Sequence, residues 1–412
     1  MKTTRTTFAR TIVSLTALTC CLIVVPVGQE SPTLQAMETP KAERLYPVGR
    51  KMLFSLYSVT EPELSTVRSD GFTAIGPYYS DKDLAAARAR QAGVPYLHSV
   101  GPRIEFGAQP WGEAEENTAL EALIAEVQTE SRQPGLAIWY LANEEPRFWR
   151  PDEMRWLDQS TNAIKTYDPG ERPIMVYEPN HRIAAELAKT AVYVDAVAKG
   201  SYANLVGMKS QRIWVRWSTE QVVEASESSD SVPIAVLLMY RDQESAADIA
   251  AIRDRTRHDV FLSLMSGAKG ILIYSGHNSR PGFERDFRAF YDGYASAARD
   301  LNLDKNLAEI FLFGEDRTSP VIDIVDGPTT LSFDFRDETH TYPSVSSLAK
   351  SIHGRTFLFL VNSANQPVSV NIGGLPGVAV IQDFLDDSPV SAQELSGLVL
   401  PAYAFRVFAW NP

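Results

Sequence analysis

Two adjacent glutamates give this sequence its clearest chemical signal. Glu144 and Glu145 follow Asn143 at the end of an unbroken apolar run, residues 136–142. A carboxyl group at such a place can protonate an ether oxygen if burial and neighbouring charges raise its pKa. Successive side chains of an extended segment point to opposite sides, so we expect one of the two to face a cavity. In the alternative interpretation, both are solvated or cap the helix that follows.

Glycosidic bond hydrolysis needs a second carboxylate, which lies ~5–5.5 Å from the first in retaining enzymes and ~6.5–9.5 Å in inverting ones. Glu178 ends the next apolar run, residues 173–177, and is the predicted partner of Glu144. Two acidic residues beyond a later run are the alternatives: Asp242 and Glu244. The basic residues that could instead form an ion pair with Glu178 are Arg182 and Arg147.

Aromatic and polar side chains stand at the ends of the other apolar runs. They are Tyr57, Tyr79, His98, Tyr202, Tyr240 and His277. Aromatic rings stack on the apolar faces of sugars, and polar tips bind hydroxyl groups. Together with Asn143 and Trp149, these residues are the predicted substrate-binding set, with Trp149 as the sugar platform. Any one tyrosine could instead be ordinary packing at a strand end.

A regular succession of strands and helices must position these residues. Eight apolar, strand-like runs alternate with helix-forming segments: 51–58, 72–79, 94–100, 136–142, 173–177, 192–198, 233–240 and 270–274. Runs without polar alternation are typical of parallel strands covered on both faces. Eight units in roughly 250 residues predict an α/β fold, a (β/α)₈ barrel over residues 47–314, whose chemistry lies at the carboxyl ends of the strands. A doubly wound sheet is disfavoured because no GxGxxG follows any run.

The pattern of apolar and turn-forming residues changes near residue 315. Short strand-like runs follow, split by Gly, Pro, Asn and Asp: 321–325, 330–335, 356–362, 368–372, 378–384 and 404–409. This pattern predicts an antiparallel β-sandwich over residues 315–412. No long linker precedes it, so we expect it to pack against the barrel in a structural role. Carbohydrate binding is the alternative role, which no tryptophan cluster supports.

The motif after the fourth run resembles the acid/base motif of the clan A glycoside hydrolases, in which Asn-Glu or Asn-Glu-Pro ends the fourth strand. The resemblance implies a (β/α)₈ barrel, often with a C-terminal β-sandwich, and a carbohydrate substrate. Glu144 follows Asn143 as the acid/base does in that family, whereas Glu145 precedes Pro146 as in its longer form. We favour Glu144. The family's nucleophile ends the seventh strand, where this chain has Tyr240 and no glutamate.

These observations leave two main hypotheses. The favoured one is a hydrolase that cleaves a glycosidic bond of an extracellular oligo- or polysaccharide. The second is a non-catalytic barrel that binds glycans or scaffolds a surface assembly, since the seventh-strand glutamate is missing. A serine hydrolase is disfavoured because no GxSxG follows any run. We predict no metal and no cofactor: His98, His181 and His277 end three runs, but they lack HxH or HxxxH spacing and have arginines nearby.

The net charge of the chain further restricts the classes of binding partner. The formal net charge of −12 argues against nucleic acid and anionic membranes as partners. It fits a neutral carbohydrate. The sequence gives no prediction of oligomeric state.

The N-terminus has the layout of a secretory signal peptide, predicted over residues 1–29. Basic residues precede the apolar run 11–27, and a polar segment follows it. The run is shorter than the ~20 residues that span a bilayer, so we expect no stable membrane insertion of the mature chain. Both cysteines, Cys20 and Cys21, lie in this run after Thr19, which disfavours a lipid anchor. The predicted location is secreted or periplasmic, with residues 30–46 as an entry segment.

Overall fold

Eight parallel strands close into a barrel at the centre of the molecule. The structure is a computed structural model and describes residues 45, 51–59, 61–78, 81–103, 110–208, 212–239, 245–274, 284–375 and 380–411. The strands are β1 Leu53–Leu56, β2 Ala74–Ile75, β3 Tyr96–Val100, β4 Leu136–Leu141, β5 Ile174–Glu178, β6 Ala196–Gly200, β7 Val232–Leu238 and β8 Gly270–Tyr274. Strand β1 pairs with β8 and closes the cylinder. The predicted (β/α)₈ barrel is confirmed.

A helix follows each strand and covers the outside of the barrel. These helices are α1 Glu61–Leu64, α2 Lys82–Ala92, α3 Glu113–Glu130, α4 Pro151–Tyr167, α5 Ala184–Ala191, α6 Trp214–Glu227, α7 Ala246–Met265 and α8 Glu284–Arg299. Local signals set their ends. Asp81 caps α2 by accepting a hydrogen bond from the Leu84 amide, and Gly93 ends it with φ +67°. Helix α4 has Pro151 in its first turn, where its missing N–H costs nothing.

Side chains alternate along each barrel strand between two separate apolar clusters. On β4, Ile138 and Tyr140 face the barrel interior, whereas Trp139 and Leu141 face the helices. Because both faces are buried, the strand sequence shows no polar alternation. The alternation decides which side chains at a strand end can reach the mouth of the barrel.

The chain continues through α9 Leu307–Phe313 into antiparallel sheets. Their strands are β9 Glu315–Arg317, β10 Val321–Asp326, β11 Thr330–Phe335, β12 Glu338–Pro343, β13 Val345–Ile352, β14 Arg355–Asn362, β15 Val368–Gly373, β16 Ile381–Asp383, β17 Ser388–Val390, β18 Ser396–Leu400 and β19 Phe405–Trp410, with a short helix, α10 Ala392–Leu395, before β18. They form a six-stranded sheet (β17-β16-β19-β14-β13-β9), a three-stranded sheet (β10-β15-β18) and the β11–β12 hairpin. The predicted C-terminal β-sandwich is confirmed.

The C-terminal sheets pack directly on the barrel helices. Phe261 of α7 and Phe405 of β19 stack with ring centroids 3.6 Å apart and an interplanar angle of 5°. Trp217 of α6 meets Phe335 of the β11–β12 hairpin at 4.8 Å. The barrel and the sheets accordingly belong to one compact unit.

The predicted signal peptide lies outside the described residues, as does most of the entry segment. Leu45 is described and is 1% exposed, packed in the interior cluster of the barrel. Within the described ranges, none of the helices combines the length and apolarity that a membrane crossing requires.

Candidate active site at the barrel mouth

Glu144 is held at the mouth of the barrel by two tyrosines. Its Oε1 accepts a hydrogen bond of 2.6 Å from the Tyr140 hydroxyl, which in turn accepts one of 2.8 Å from the Tyr57 hydroxyl. Both tyrosines belong to the interior cluster, at 0% and 1% exposure. Glu144 therefore lies on the inward side of its segment. A donated hydrogen bond favours the ionised form of a carboxylate.

Glu145 has a left-handed backbone, with φ +53°. Its N–H donates to the Tyr177 carbonyl at 2.9 Å, and its own carbonyl accepts from Arg182 Nη2 at 3.3 Å. This turn interrupts the alternation of an extended chain. The negative charges of both glutamates reach inward-facing tyrosines, since each raises the pKa of Tyr177 and of Tyr202. The expectation that one of the two glutamates faces the cavity stays a prediction, because the charge of a side chain acts beyond the atoms that it contacts.

The surroundings of the Glu145 carboxyl favour its protonated form. One side of Glu145 is open to solvent, yet desolvation of its carboxyl raises its pKa, and the charge of Glu144 raises it further. Arg182 and Arg103 oppose this rise without cancelling it. Within the pair, burial and the charge of Glu144 thus favour the protonated form of Glu145, while the Tyr140 hydroxyl donates a hydrogen bond to Glu144.

A ring of tyrosines lines the mouth. Tyr57 meets Tyr140 at 5.8 Å and Tyr274 at 5.7 Å, with rings nearly perpendicular. Tyr202 stacks on Tyr177 at 6.4 Å and lies 6.3 Å from Tyr274. Burial raises the pKa of Tyr177 and of Tyr202 well above the ordinary value, so their hydroxyls stay protonated at neutral pH. Tyr57 and Tyr140 are buried and donate to neighbouring groups, whereas Tyr177 and Tyr274 are partly exposed and can present an apolar face to a sugar.

Gly200, the last residue of β6, makes room for this ring. A Cβ at this position would lie 2.8 Å from the Tyr177 hydroxyl oxygen and 3.1 Å from Cε2 of Tyr202. The first separation is shorter than Cβ atoms show in real structures, and the second would require Tyr202 to shift by a few tenths of an ångström. The absence of a side chain at Gly200 therefore allows the two tyrosines to stack.

Trp149 stands beside the mouth with 58% of its surface exposed. Its indole meets the Phe148 ring edge-on at 4.9 Å, and the Arg182 guanidinium lies over both rings, at 5.4 Å from Phe148 and 5.9 Å from Trp149. An exposed indole held in this way offers a flat face on which a sugar ring can stack.

Glu178, the predicted second carboxylate, does not face the mouth. Strand β5 directs Met175 and Tyr177 inward, so that Ile174, Val176 and Glu178 face the helices. Glu178 is 0% exposed, pairs with Arg182, and accepts a hydrogen bond of 2.5 Å from Thr190 of α5. The ion pair with Arg182, considered as its alternative role, is what the structure contains.

Two further predicted residues also lie on the helix side. His98 is 2% exposed, and its Nε2 is 2.9 Å from Glu126 Oε1 of α3. Asn143 is 5% exposed and borders a small cavity shared with Leu123 of α3 and Trp156 of α4. Neither can contact a substrate in the mouth, because the register of β3 and β4 turns both side chains outward.

The remaining predicted residues divide into two groups. Tyr57, Tyr202 and Trp149 are brought together with the glutamates, as described above. Others lie outside the described residues: Tyr79, Tyr240, Asp242, Glu244 and His277. Over the described part of the chain, no three His, Cys, Asp or Glu side chains converge as a metal site would require.

Sequence reasoning missed Tyr140, Tyr177 and Arg182 as parts of the site. The two tyrosines lie inside apolar runs and were indistinguishable from core residues. A signal did exist, because Tyr140 stands four residues before Glu144, on the same face of the chain. Arg182 was considered only as a partner of Glu178.

Comparison with known proteins identifies the architecture. No protein family and no curated protein matches this chain. Among solved structures, a GH42 β-galactosidase from G. stearothermophilus superposes with a TM-score of 0.57 at 8% identity, covering 90% of this chain and 100% of that one. An α-amylase from Geobacillus thermoleovorans, complexed with acarbose, gives 0.53 at 12% identity, with 88% and 98% covered. In fold, this chain is similar to both of these solved enzymes.

A third solved structure has the same fold. A β-galactosidase from Bacillus circulans sp. alkalophilus gives a TM-score of 0.56 at 8% identity, covering 89% of this chain and 100% of that one. Identities this low establish the fold alone. The resemblance to glycoside hydrolases that the Asn-Glu motif indicated is thus confirmed for the architecture.

Proposed function

We propose that this protein hydrolyses a glycosidic bond of an oligo- or polysaccharide bound at the barrel mouth. The observation that supports this most is the Glu144–Glu145 pair, in which burial and the neighbouring charge raise the pKa of Glu145 while Tyr140 donates a hydrogen bond to Glu144. A proton donor and a carboxylate anion are the two groups that glycosidic cleavage uses. The shared fold of solved glycoside hydrolases is consistent with this proposal.

The raised pKa of Glu145 favours it as the general acid, although the sequence favoured Glu144. Protonated Glu145 would give its proton to the glycosidic oxygen as the bond from that oxygen to the anomeric carbon breaks. The Glu144 carboxylate would stabilise the positive charge that develops on the sugar ring. Water then adds to the anomeric carbon, and the proton it releases restores the acid. Asp242 and Glu244 are the candidates for a second carboxylate that activates this water.

The substrate would be a carbohydrate with an exposed apolar ring face, stacked on Trp149 and reaching the tyrosine ring. The solved neighbours are named as a β-galactosidase and an α-amylase. These names differ in sugar and linkage, so we assign neither to this chain.

The test uses glutamine, which keeps the shape of glutamate without its charge. Purified wild-type protein is screened against aryl glycosides and polysaccharides, and turnover is then measured for Glu145→Gln and Glu144→Gln. We expect each variant to lose about 10²–10⁴-fold in kcat with little change in Tm. Glu121→Gln, an exposed position on α3, is the matched control and should retain full activity. Wild-type turnover in both mouth variants would contradict the proposal.

The second candidate function is glycan binding without hydrolysis. It is favoured by one observation, that Glu178 faces the helices and cannot serve as the second carboxylate of the mouth. Calorimetric titration with the same polysaccharides separates the two functions. Saturable binding that Trp149→Ala weakens, with no product formed by the wild type, would select the binding function.

Export from the cytoplasm is part of this proposal. It is supported by the basic residues, apolar run and polar segment at the N-terminus. N-terminal sequencing of protein recovered outside the cytoplasm should begin near residue 30. An intact Met1 on that protein would refute cleavage.

A further inference from the structure

Arg182 joins the segment between β4 and α4 to the end of β5. It lies between β5 and α5, with 2% of its surface exposed. One guanidinium nitrogen pairs with Glu178, while Nη2 donates to the backbone carbonyl of Glu145 at 3.3 Å. The same group lies over the Phe148 and Trp149 rings. Arg182 thus contacts the turn that carries the proposed acid and the indole proposed as the sugar platform.

The anchor of Arg182 is rigid. Glu178 is completely buried, and its other oxygen accepts a hydrogen bond from Thr190 of α5. A carboxylate held in this way fixes the guanidinium between β5 and α5. Only a planar fork can pair with a carboxylate, reach a carbonyl and stack on rings together, so lysine could supply the charge but not the contacts.

The turn that Arg182 holds needs support. Glu145 adopts φ +53°, a region that non-glycine residues enter at a cost and keep when neighbours fix it. Its N–H is fixed by the Tyr177 carbonyl and its C=O by Arg182. Both contacts come from β5 and the segment after it, so this part of the chain holds both polar groups of the Glu145 backbone.

We propose that Arg182 is a positioning residue for Glu145, which it holds in the left-handed turn by its carbonyl while placing a fixed positive charge beside the Glu144–Glu145 pair. This inference rests on the proposed function only in treating Glu145 as the acid. Glu178 is the anchor of the arrangement and takes no part in the chemistry.

The charges around Glu145 indicate what removing Arg182 would do. Desolvation and Glu144 raise the pKa of Glu145, and Arg182 and Arg103 lower it. The tyrosines that face the pair, Tyr177 and Tyr202, stay neutral because burial raises their pKa. Loss of the Arg182 charge therefore leaves Arg103 alone against two effects that favour the protonated form.

The experiment compares Arg182→Gln, Arg182→Lys and a control, Arg155→Gln. Arg155 is 51% exposed and pairs with Glu116 on the outside of the barrel, so its loss removes one positive charge far from the mouth. The pKa of Glu145 is read from the carboxyl ¹³C shift in glutamate-labelled protein, with the resonance assigned by its absence in Glu145→Gln. Activity against the best substrate of the screen is recorded as a function of pH.

We expect Arg182→Gln to raise the pKa of Glu145 by about one unit, with the same displacement in the pH profile. Arg182→Lys should keep this pKa close to the wild-type value but lower kcat about tenfold, because the carbonyl contact and the stacking are lost. Arg155→Gln should change neither quantity. A merely structural arginine would alter Tm and leave the pKa of Glu145 in place.

The proposal fails if the pKa of Glu145 in Arg182→Gln equals that of the control. Should Arg182→Gln not fold, Arg182→Lys decides, since wild-type kcat in that variant would equally overturn it. The proposed function fails separately. A wild-type protein without turnover contradicts hydrolysis, whereas the carbon shift still reports whether Arg182 acts on Glu145.

Discussion

Glu126 contacts three polar groups at once, and one of these contacts holds His98 on the helix side of the barrel. Its Oε1 accepts from Lys82 at 2.8 Å and lies 2.9 Å from His98 Nε2, and its Oε2 accepts from the Gly101 amide at 3.2 Å. Burial alone would raise the pKa of Glu126, but the hydrogen bonds from His98 and Lys82 outweigh burial and lower it. The cluster fastens α3 to the carboxyl end of β3, on the outside of the barrel.

Replacing this carboxylate should cost stability in a pH-dependent way. A folded-state pKa below the unfolded value of 4.5 gives a contribution that is complete above that value and lost as the pH falls through the lowered one. We expect Glu126→Gln to reduce the free energy of unfolding by about 1–3 kcal/mol at pH 7. Urea unfolding at pH 7 and at successively lower pH values measures the deficit.

The deficit should shrink in acid, where the wild-type carboxyl is also neutral. Glu121→Gln, on the same helix but exposed, should show almost no deficit at any pH. A deficit for Glu126→Gln that stays constant down to the acid limit of the fold would show that packing, and not charge, is responsible.

Among the elements, β6 constrains the site through Gly200, where a side chain would collide with the tyrosine ring. Gly200→Ala would place a Cβ within 2.8 Å of the Tyr177 hydroxyl oxygen, and the two stacked tyrosines would have to move. We expect a loss of about 1–3 kcal/mol in the free energy of unfolding. Sugar binding should weaken as well, because the tyrosine ring would be displaced. Differential scanning calorimetry and binding titration measure the two effects.

Gly373→Ala is the matched control for this change. Gly373 ends a strand too, and the nearest atom to its added Cβ is a carbonyl oxygen 3.9 Å away. This variant should be as stable as the wild type and bind equally well. If Gly200→Ala behaves like Gly373→Ala, Gly200 does not determine the arrangement of the ring.

The boundaries of some strands could be predicted, whereas those of others and the strand faces could not: run 72–79 contains only the two-residue β2, and run 192–198 overlaps β6 only at 196–198. The runs 136–142 and 270–274 became β4 and β8 within one residue, because length and flanking signals are written in the sequence. The faces of Glu178, His98 and Asn143 could not be read. A strand that is apolar on both sides carries no alternation, so the register that turns a side chain inward depends on neighbouring strands.

In the C-terminal region, whole strands could not be predicted from the sequence. Strands β12 and β13 were not predicted, because their sequences are polar or mixed, ETHTYP and VSSLAKSI. Each is paired over its whole length with a recognised neighbour, β11 or β14. Pairing with these partners, and not intrinsic apolarity, makes them strands.

At the scale of the whole molecule, the barrel and the sheets share one buried interface. Phe261 and Phe405 stack at 3.6 Å, and His258 Nε2 of α7 is 2.9 Å from the Ser363 hydroxyl beyond β14. Asp259 pairs with Arg212 within the same buried region. Surfaces of this kind are stable only when both sides are present.

Phe405→Ala tests this coupling. Phe405 is 7% exposed, and removing its ring should lower the free energy of unfolding by about 3–5 kcal/mol. We expect the wild type to unfold in a single calorimetric transition and the variant to unfold in one transition at lower temperature. Two separate transitions in the wild type, of which Phe405→Ala lowers the temperature of only one, would show that the barrel and the sheets fold independently.

The aromatic seam between α6 and the β11–β12 hairpin bears on how this architecture could be redesigned. Trp214 and Trp217 pack against Phe333 and Phe335, so this part of the helix surface is already covered by the hairpin. A chimera made from this protein should therefore carry α6 and the β11–β12 hairpin together. Exchanging only one of them would expose an unmatched apolar surface to water.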